Sequence, residues 1–317
     1  MQVPAWKSQI QSLLIIENVL YTTIVSKNHI GGMLFGLVAI NIYVRPGKVS
    51  ERLTVPSYIP LPPYALTGEV PDLRSLNPPI LQAEVKNEGQ IGLMRRSCRL
   101  ARFVLDSIEE IIRVGITTDE LDKFAHELIT DNAAYPSPLI TEGFLSLFVH
   151  LFMMDIINVD VTVYLSGFHG DCSKTFLVGN VDEAGKRLVK VAEEAMMTGI
   201  EVCKPGEYFF RIGKEISDYA SDHGYTSIGF FAGHGIGTYF HGPPDIYHTY
   251  NRNTAKMEPG MTFTVEPVLS EGQANIMILD DEWTAITEDR SRTAQFENTI
   301  LITEEGYEIL TKPYEKR

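Results

Sequence analysis

The chain has 317 residues, enough for one large domain or two small ones with a substantial core. Hydrophobic residues make up 44% and charged residues 21%, which excludes a wholly disordered chain, a collagen and a coiled coil. The 27 Lys and Arg against 41 Asp and Glu leave a net charge of −14, which argues against nucleic acid as a partner and favours a cationic one, such as a free amino group. The three widely spaced cysteines form neither a disulfide framework nor a zinc-finger pattern, which indicates a reducing compartment.

The first fifty residues differ in charge from the rest of the chain. They contain four basic residues and a single acid, Glu17, and residues 28–44 carry no charge at all. That run falls just short of a membrane span, and its glycines and asparagines lower its hydropathy. An organelle transit peptide, a membrane anchor and a poorly structured leader all stay open. The scarcity of acids favours the transit peptide, whereas the single arginine counts against it.

Prolines mark the next part of the chain. Eight of them lie within residues 46–82, and because proline fixes φ and donates no amide hydrogen, they predict an extended segment that wraps a surface. We therefore divide the chain into a leader at residues 1–50, a proline-rich linker at residues 51–83 and one folded domain at residues 84–317.

Apolar residues of this domain recur at three- and four-residue steps, the pattern of amphipathic helices. The first predicted helix covers residues 88–112, and a capping box at Thr117 and Glu120 opens a second one. A long helix over residues 182–203 and a shorter one ending near residue 222 repeat this plan. The repeat fits either an internal duplication of a helix-pair-plus-strands unit or two unrelated helical hairpins.

The remaining apolar runs predict antiparallel strands. Residues 156–164 and 168–178 flank Ser166-Gly167 and predict a β-hairpin. Three more strands follow, at residues 261–268, 283–287 and 293–303. The last two are separated by a short polar turn and predict a second hairpin. Helices set against antiparallel strands indicate an α+β domain.

Two carboxylates in the first hairpin need an explanation. Asp160 interrupts an apolar strand, where a free carboxylate is costly to desolvate, and Asp171 lies on the partner strand. If the turn is centred near Leu165-Ser166, the two aspartates face each other directly. Neighbouring carboxylates repel unless one is protonated or a cation lies between them. The pair therefore predicts a metal site, with two solvent-facing edge aspartates as the alternative.

Three further residues extend this set. His234 lies between glycines in G-H-G-I-G, a backbone that lets an ion approach closely. Glu266 and Glu297 interrupt the apolar strands F-T-V-E-P and A-Q-F-E-N-T-I-L-I, although a lone strand glutamate is usually at the surface. Four carboxylates and one imidazole are too oxygen-rich for a structural zinc site and suit two divalent ions of the manganese, iron or cobalt type, or zinc. Two such ions can activate a water for attack on a carbonyl.

Five motifs in order resemble those of the type 1 methionine aminopeptidases: D-V-T-V-Y, H-G-D-x-S, G-H-G-I-G-x-x-F-H, F-T-V-E-P and A-Q-F-E-x-T. The resemblance covers about residues 84–312. It implies the pita-bread fold, in which two pseudo-symmetric helix-pair-plus-strand halves surround a curved antiparallel sheet. It also implies that residues 84–317 form a catalytic domain, a metal-dependent hydrolase of peptide bonds that removes the initiator methionine from nascent or imported proteins.

The resemblance assigns roles to particular residues. The family's metal ligands fall on one set: Asp160, Asp171, His234, Glu266 and Glu297. Its second active-site histidine, which contacts the substrate, falls on His241, while Phe240 and Trp283 fall where the family lines its methionine pocket. Glu266 would move a proton from the attacking water to the leaving amine, and His241 would steady the tetrahedral intermediate.

Partners and location follow from the same resemblance. We expect two divalent ions per chain (Co, Mn, Fe or Zn), N-terminal methionine peptides of nascent proteins as substrates, the ribosome as a further partner, and a monomer. The proline-rich stretch and Y-P-S-P-L at residues 135–139 resemble organellar members, those of plants in particular. We therefore expect the chloroplast or the mitochondrion, with the cytoplasm as the alternative.

The remaining histidines and cysteines receive structural roles. The histidines at positions 29, 126, 223 and 248 are expected on the surface or in loops. His169, two residues before Asp171, is expected to orient a ligand. Cys172, where the family usually has threonine, is expected to be buried and inert.

Residues 140–154 depart from the family pattern. The family has a glycine- and aromatic-rich loop, a strand and a C-H-G-I-P turn whose histidine contacts the substrate, whereas this chain has a shorter apolar run. Its one histidine, His150, is not given that role. An impaired pita-bread binding module or isoform and a prolidase-like exopeptidase therefore stay open beside the active aminopeptidase. The 31 residues between His234 and Glu266 leave no room for the type 2 subdomain, and the leader leaves little for a prolidase-type domain.

Overall fold

A computed structural model describes residues 53–67, 70–71, 73, 76, 78, 80–137, 155–280 and 284–313. The predicted leader, the divergent segment at residues 140–154 and Trp283 lie outside these ranges. None of the helices within the described ranges is long and apolar enough to cross a membrane.

The described residues form four helices close to the predicted bounds: α1 Glu88–Ile111, α2 Thr118–Asp131, α3 Glu183–Glu201 and α4 Phe210–Asp222. Capping boxes at Asn87 and Thr117 satisfy free amides at the starts of α1 and α2, and the Asp182 side chain caps α3. A glycine with positive φ follows the long helix of each pair, Gly115 at 86° and Gly206 at 81°.

The strands are all paired antiparallel. In chain order they are β1 Tyr135–Pro136, β2 Asp155–Leu165, β3 Phe168–Val178, β4 Thr226–Ser227, β5 Ala232–Gly235, β6 Gly242–Tyr247, β7 Thr262–Val265, β8 Val268–Ser270, β9 Ile276–Ile278, β10 Ala285–Thr287, β11 Thr293–Gln295, β12 Glu297–Ile302 and β13 Tyr307–Ile309. The main sheet has the order β1-β2-β3-β12-β7-β5-β6, with β13 paired to β12. Two small sheets join β9 to β10, and β11 and β4 to β8. Helices against antiparallel strands confirm the predicted α+β class.

The helices cover one face of the main sheet in two halves. In the first half, Val161 and Cys172 are buried in one apolar cluster with α1 and α2. In the second half, Phe263 and Ile300 are buried in another cluster with α3 and α4. Each helix pair thus has its own core against one half of the sheet, the two-part architecture that the repeat predicted.

The first hairpin forms as predicted, but its register differs. Ser166 and Gly167 alone make the turn, with φ of 55° and 90°, the geometry that two-residue hairpin loops favour. Asp171 therefore pairs with Thr162 and lies diagonal to Asp160, so the predicted direct facing of the two aspartates is wrong by two residues. Because side chains alternate with period two, both aspartates still share one face of the sheet.

The second predicted hairpin is wrong. Strand β10 pairs with β9, and the run at residues 293–303 is two strands, divided at Phe296. Strand β11 pairs with β8, whereas β12 lies between β3 and β7. The Phe296 side chain is buried in the core beside α3, and this packing marks the point where the chain passes from one sheet to the other. The predicted strand at residues 261–268 likewise divides at Glu266-Pro267, because proline cannot donate to a ladder.

The described part of the proline-rich linker is packed against the domain. Ile59 is buried with Tyr135, and Tyr64, in a short 3₁₀ turn at Pro63–Ala65, is 4% exposed. The His126 ring nitrogen Nε2 lies 3.0 Å from the carbonyl oxygen of Thr54. The linker therefore contributes side chains to the interior as well as crossing the surface.

Close packing of β3 on α1 gives a stability prediction. A Cβ at Gly170 would lie 2.4 Å from the Cys98 backbone nitrogen, so we expect Gly170→Ala to lower the free energy of unfolding by about 2–3 kcal/mol through overpacking. In Gly92→Ala, the matched control on α1, the new Cβ meets nothing within 4 Å, and we expect stabilisation by up to about 1 kcal/mol. Urea unfolding of both variants measures the difference, and equal stability would contradict this packing.

Candidate metal centre

A row of polar side chains crosses the sheet face opposite the helices. Ser173 on β3 pairs with Asp160 on β2 and with Glu297 on β12, so these three side chains share one face. Asp171 lies two residues before Ser173 on the same face. Three neighbouring strands thus bring three carboxylates together.

Strands β5 and β7 add the remaining two predicted residues. His234 is on β5, and Glu266 follows β7 where the ladder breaks before Pro267. The His234 Nε2 lies 3.8 Å from Asp171 Oδ2 and 3.7 Å from Glu266 Oε1. Ligand atoms of Asp171, His234 and Glu297 all lie within 4.8 Å of one another.

Asp160 completes the group, since its carboxyl lies close enough to Asp171 and Glu266 for their negative charges to raise its pKa in addition to burial. The structure therefore brings all five predicted metal-binding residues into one place: Asp160, Asp171, His234, Glu266 and Glu297. This cluster of five residues is called the acidic cluster below.

Threonine hydroxyls that were not predicted orient the acidic cluster. Thr162 donates to Asp171 Oδ1 at 2.7 Å. Thr264 donates to Glu266 Oε1 at 2.6 Å and accepts the His234 backbone N–H at 3.0 Å. Thr162 lies two residues after Asp160 and Thr264 two residues before Glu266, so the period of the strands was a signal that could have found them.

Four residues of the acidic cluster are buried and Asp160 is partly buried, and burial dominates the electrostatics of the cluster. Asp171, His234, Glu266 and Glu297 are each 3% exposed or less. Burial raises the pKa of Asp171 to about 7 and lowers the pKa of His234 to about 4. The pKa values of Asp160, Glu266 and Glu297 are raised well above their usual range, chiefly by burial and then by the neighbouring acids.

Unpaired oxygens show that the donor set fits a metal. Asp160 Oδ1 and Glu297 Oε1 are buried and have no hydrogen-bond partner among the described residues. A buried carboxylate without a partner is costly, and a divalent cation would satisfy these oxygens and replace the retained protons. Oxygen-rich ligands with a single neutral imidazole suit manganese, iron or cobalt more than a structural zinc ion.

Two aromatic side chains adjoin the acidic cluster. The rings of His241 and His234 meet edge to face with centroids 4.4 Å apart, and the His241 ring stacks on Phe240 at 3.9 Å. The pKa of His241 is lowered well below its usual range, by burial and then by the charges of His234 and His169. His241 Nε2 has no partner among the described residues, so the neutral ring has a nitrogen available for a substrate.

His248 has a role that the sequence analysis did not predict. It lies in a loop, one of the two expected positions, but it is buried there, and its Nε2 accepts the backbone N–H of Glu266 at 3.0 Å. It follows β6, where Ile246 points inward, so alternation along D-I-Y-H was a usable signal. His126 is also buried, whereas His223 is partly exposed and His29 lies outside the described residues.

His169 and Cys172 occupy the strand that carries Asp171. His169 was expected to orient a ligand, but its ring bonds the Tyr64 hydroxyl and the Gly237 carbonyl. Cys172 is fully buried as predicted, and burial raises the pKa of its thiol well above the usual range, which keeps it protonated and unreactive.

The glycines beside His234 serve packing between strands. A Cβ at Gly233 would lie 2.4 Å from the Thr264 carbonyl oxygen, and one at Gly235 would overlap the Pro243 backbone. The close approach that this motif predicted for an ion is therefore made by neighbouring backbone.

Known proteins resemble this chain in sequence. Residues 92–304 match the model of metallopeptidase family M24. A chloroplastic methionine aminopeptidase 1B of Arabidopsis thaliana is 45% identical over 284 residues, 85% of this chain and 75% of that protein. The human mitochondrial methionine aminopeptidase 1D is 44% identical over 288 residues, 86% of this chain and 84% of that protein.

Solved structures give the same result. The methionine aminopeptidase of Rickettsia prowazekii is 37% identical with a TM-score of 0.70, over 73% of this chain and all of that one. A Pyrococcus furiosus prolidase, 20% identical with a TM-score of 0.59 over 73% of this chain and 66% of its own, shares the fold alone. The predicted pita-bread fold is thus confirmed, and so is the predicted dependence of the family on divalent metals. The chain belongs to metallopeptidase family M24 and, within it, to the type 1 methionine aminopeptidases.

Proposed function

We propose that this protein removes the N-terminal methionine from other proteins by metal-dependent hydrolysis. The observation that carries the proposal is the acidic cluster, a largely buried set of four carboxylates and one neutral imidazole on the sheet face opposite the helices, in a fold shared with methionine aminopeptidases. Relatives at 44–45% identity with this name support the choice of substrate.

Five residues are proposed to hold two divalent ions: Asp160, Asp171, His234, Glu266 and Glu297. Each carboxylate offers two oxygens, so the set can serve two ions at once. When bound, such ions polarise a peptide carbonyl and lower the pKa of water, which supplies a nucleophile at neutral pH. The hydrogen bonds from Thr162 and Thr264 hold two of the carboxylates in fixed orientations for this task.

Side chains of the protein would handle the proton and the substrate. Glu266 uses Oε1 to accept from Thr264, and its carboxylate is proposed to take the proton of the attacking water and pass it to the leaving amine. His241, neutral because of its lowered pKa, is proposed to donate a hydrogen bond from Nε2 to the substrate amide and to steady the tetrahedral intermediate.

Substrate selection is proposed to depend on Phe240 and Trp283, which would line the methionine pocket. Phe240 is buried next to His241. The net charge of −14 favours a substrate that carries a free α-amino group. Because relatives are named chloroplastic and mitochondrial, we also propose that residues 1–50 direct the chain to an organelle. We further propose that the domain at residues 84–317 acts as a monomer and that nascent chains on the ribosome are its substrates.

Activity is tested with a Met-Ala-Ser peptide and added manganese or cobalt. We expect methionine release by the wild-type protein, and a loss of about 10²- to 10⁴-fold in kcat for Glu266→Gln and for His241→Ala. The exposed Glu258→Gln and the partly exposed His223→Ala serve as matched controls and should keep wild-type rates.

Failure of the wild-type protein to release methionine would refute the proposal. Metal binding without turnover would identify an impaired binding module instead, and hydrolysis of X-Pro dipeptides would identify a prolidase-like exopeptidase.

Metal binding should release protons. At pH 7 the metal-free cluster retains protons, because the pKa of Asp171 is about 7 and burial raises those of Glu266 and Glu297 well above their usual range. We expect calorimetry in buffers of different ionisation enthalpy to show net proton release when manganese binds, and Glu297→Gln to reduce both the release and the metal affinity.

The same pKa values predict how pH affects stability. Without metal, the Asp171 carboxyl binds more protons in the folded than in the unfolded state between about pH 4 and pH 7, so its contribution to stability should fall as pH rises through this window. The buried histidines, whose pKa values are lowered, act in the opposite sense, so the contribution of Asp171 is isolated by comparison with Asp171→Asn. In a chelator, the melting temperature of the wild type relative to that of Asp171→Asn should fall as the pH is raised from about 5 to 7, and a difference that does not change with pH would contradict the buried cluster.

A further inference from the structure

Tyr64 joins the proline-rich linker to the strand of Asp171. Its side chain is 4% exposed, and its hydroxyl lies 2.9 Å from His169 Nε2. The other ring nitrogen, Nδ1, lies 3.0 Å from the carbonyl oxygen of Gly237. A carbonyl only accepts, so Nδ1 carries the hydrogen, and in the neutral ring Nε2 accepts from the Tyr64 hydroxyl.

Stacked rings continue from this bond to the acidic cluster. The His169 ring is nearly parallel to that of Phe240, at 7° with centroids 5.5 Å apart, and Tyr64 stacks on the same phenyl ring at 6.2 Å. Phe240 in turn stacks on His241 at 3.9 Å. Tyr64 and His169 therefore support the inner face of the two residues proposed to contact the substrate.

The loop that carries these residues, 236–241, is held by the same contact. Gly237 accepts from the backbone N–H of His169 at 2.8 Å as well as from its ring. From the other side, the Glu84 carboxylate accepts from the Thr238 backbone N–H at 3.4 Å. His169 on β3 and Glu84 ahead of helix α1 thus both hold this loop.

The linker segment at residues 53–67 is itself fixed. The Thr54 carbonyl oxygen lies 3.0 Å from His126 Nε2, and Ile59 is buried against Tyr135. Prolines at positions 56, 60, 62 and 63 limit its backbone freedom. A segment anchored at several points can hold an aromatic ring in one orientation.

We propose that Tyr64 is a positioning residue of the active site, which fixes Phe240 and His241 through His169 and the loop at residues 236–241. Within the segment at residues 53–67, Tyr64 is accordingly part of the active site, although it touches none of the proposed metal ligands in the described contacts. This inference rests on the proposed function for its kinetic test, and a second test below is independent of that function.

The kinetic test compares Tyr64 with Tyr58, the tyrosine of the same segment that is 71% exposed. We expect Tyr64→Ala to lower kcat on Met-Ala-Ser by about 10- to 100-fold, because small displacements of a substrate-contacting group have effects of this size. Manganese affinity, measured by calorimetry, should stay within about twofold of wild type. Tyr64→Phe keeps the ring and should restore most of the rate, and Tyr58→Ala should match wild type.

The second test measures the loop directly by hydrogen–deuterium exchange of peptides that cover residues 236–241. Exchange should be at least about tenfold faster in Tyr64→Ala than in wild type and unchanged in Tyr58→Ala, because the loop loses its support. Peptides from α3 should exchange at the wild-type rate in both variants, which excludes global unfolding.

The outcomes separate the two proposals. Faster loop exchange with an inactive wild-type protein would keep the positioning role and refute the proposed function. Unchanged loop exchange, a kcat within twofold of wild type, or an equal effect of Tyr58→Ala would overturn the positioning role. A loss of manganese affinity in parallel with kcat would also overturn it, since Tyr64 would then act on the metal ligands.

Discussion

The structure depends on how it accommodates four neighbouring carboxylates, three of them on buried residues and one on a partly buried residue. Their mutual repulsion and their desolvation both oppose folding in the charged form, and among the described residues neither an arginine nor a lysine is in the contacts that orient them. Without a cation the cluster must retain protons, so its charge and its metal content are linked. A divalent cation would relieve the repulsion between the carboxylates, and a site of this kind therefore favours cation binding. The relatives of this chain are metallopeptidases.

The antiparallel sheet places the destabilising carboxylates on one face and the stabilising apolar side chains on the other. Along β2, Asp160 points to the polar face while its neighbour Val161 is buried under α1 and α2. Because side chains alternate between the two faces, burial of the apolar face supplies hydrophobic free energy that offsets the unfavourable free energy of the carboxylates on the polar face. The same alternation places threonines two residues from the acids, where their hydroxyls replace part of the lost hydration.

Much of this could be predicted because the signals are local. The bounds of the helices follow from capping residues and glycines. Asp160 and Asp171 share a face of the sheet even when the hairpin register shifts by two residues. The actual register depends on the two positive φ values at the turn. The strand partners of residues 283–303 depend on where Phe296 packs, which is a long-range matter that no local pattern contains. His248 was missed because a buried histidine whose partner is a backbone amide has no motif.

Tyr64 illustrates the same limit and shows why it matters for function. A proline-rich stretch ahead of a domain is read as a spacer, since its composition lacks helical or strand periodicity. Prolines also reduce the entropy that a segment loses when it is ordered, so a few contacts suffice to dock it. Once docked, this segment places a phenol behind His169 and Phe240. A change in such a linker would then alter the orientation of two substrate-contacting rings. Residues far from the metal ligands in sequence can in this way belong to the same site.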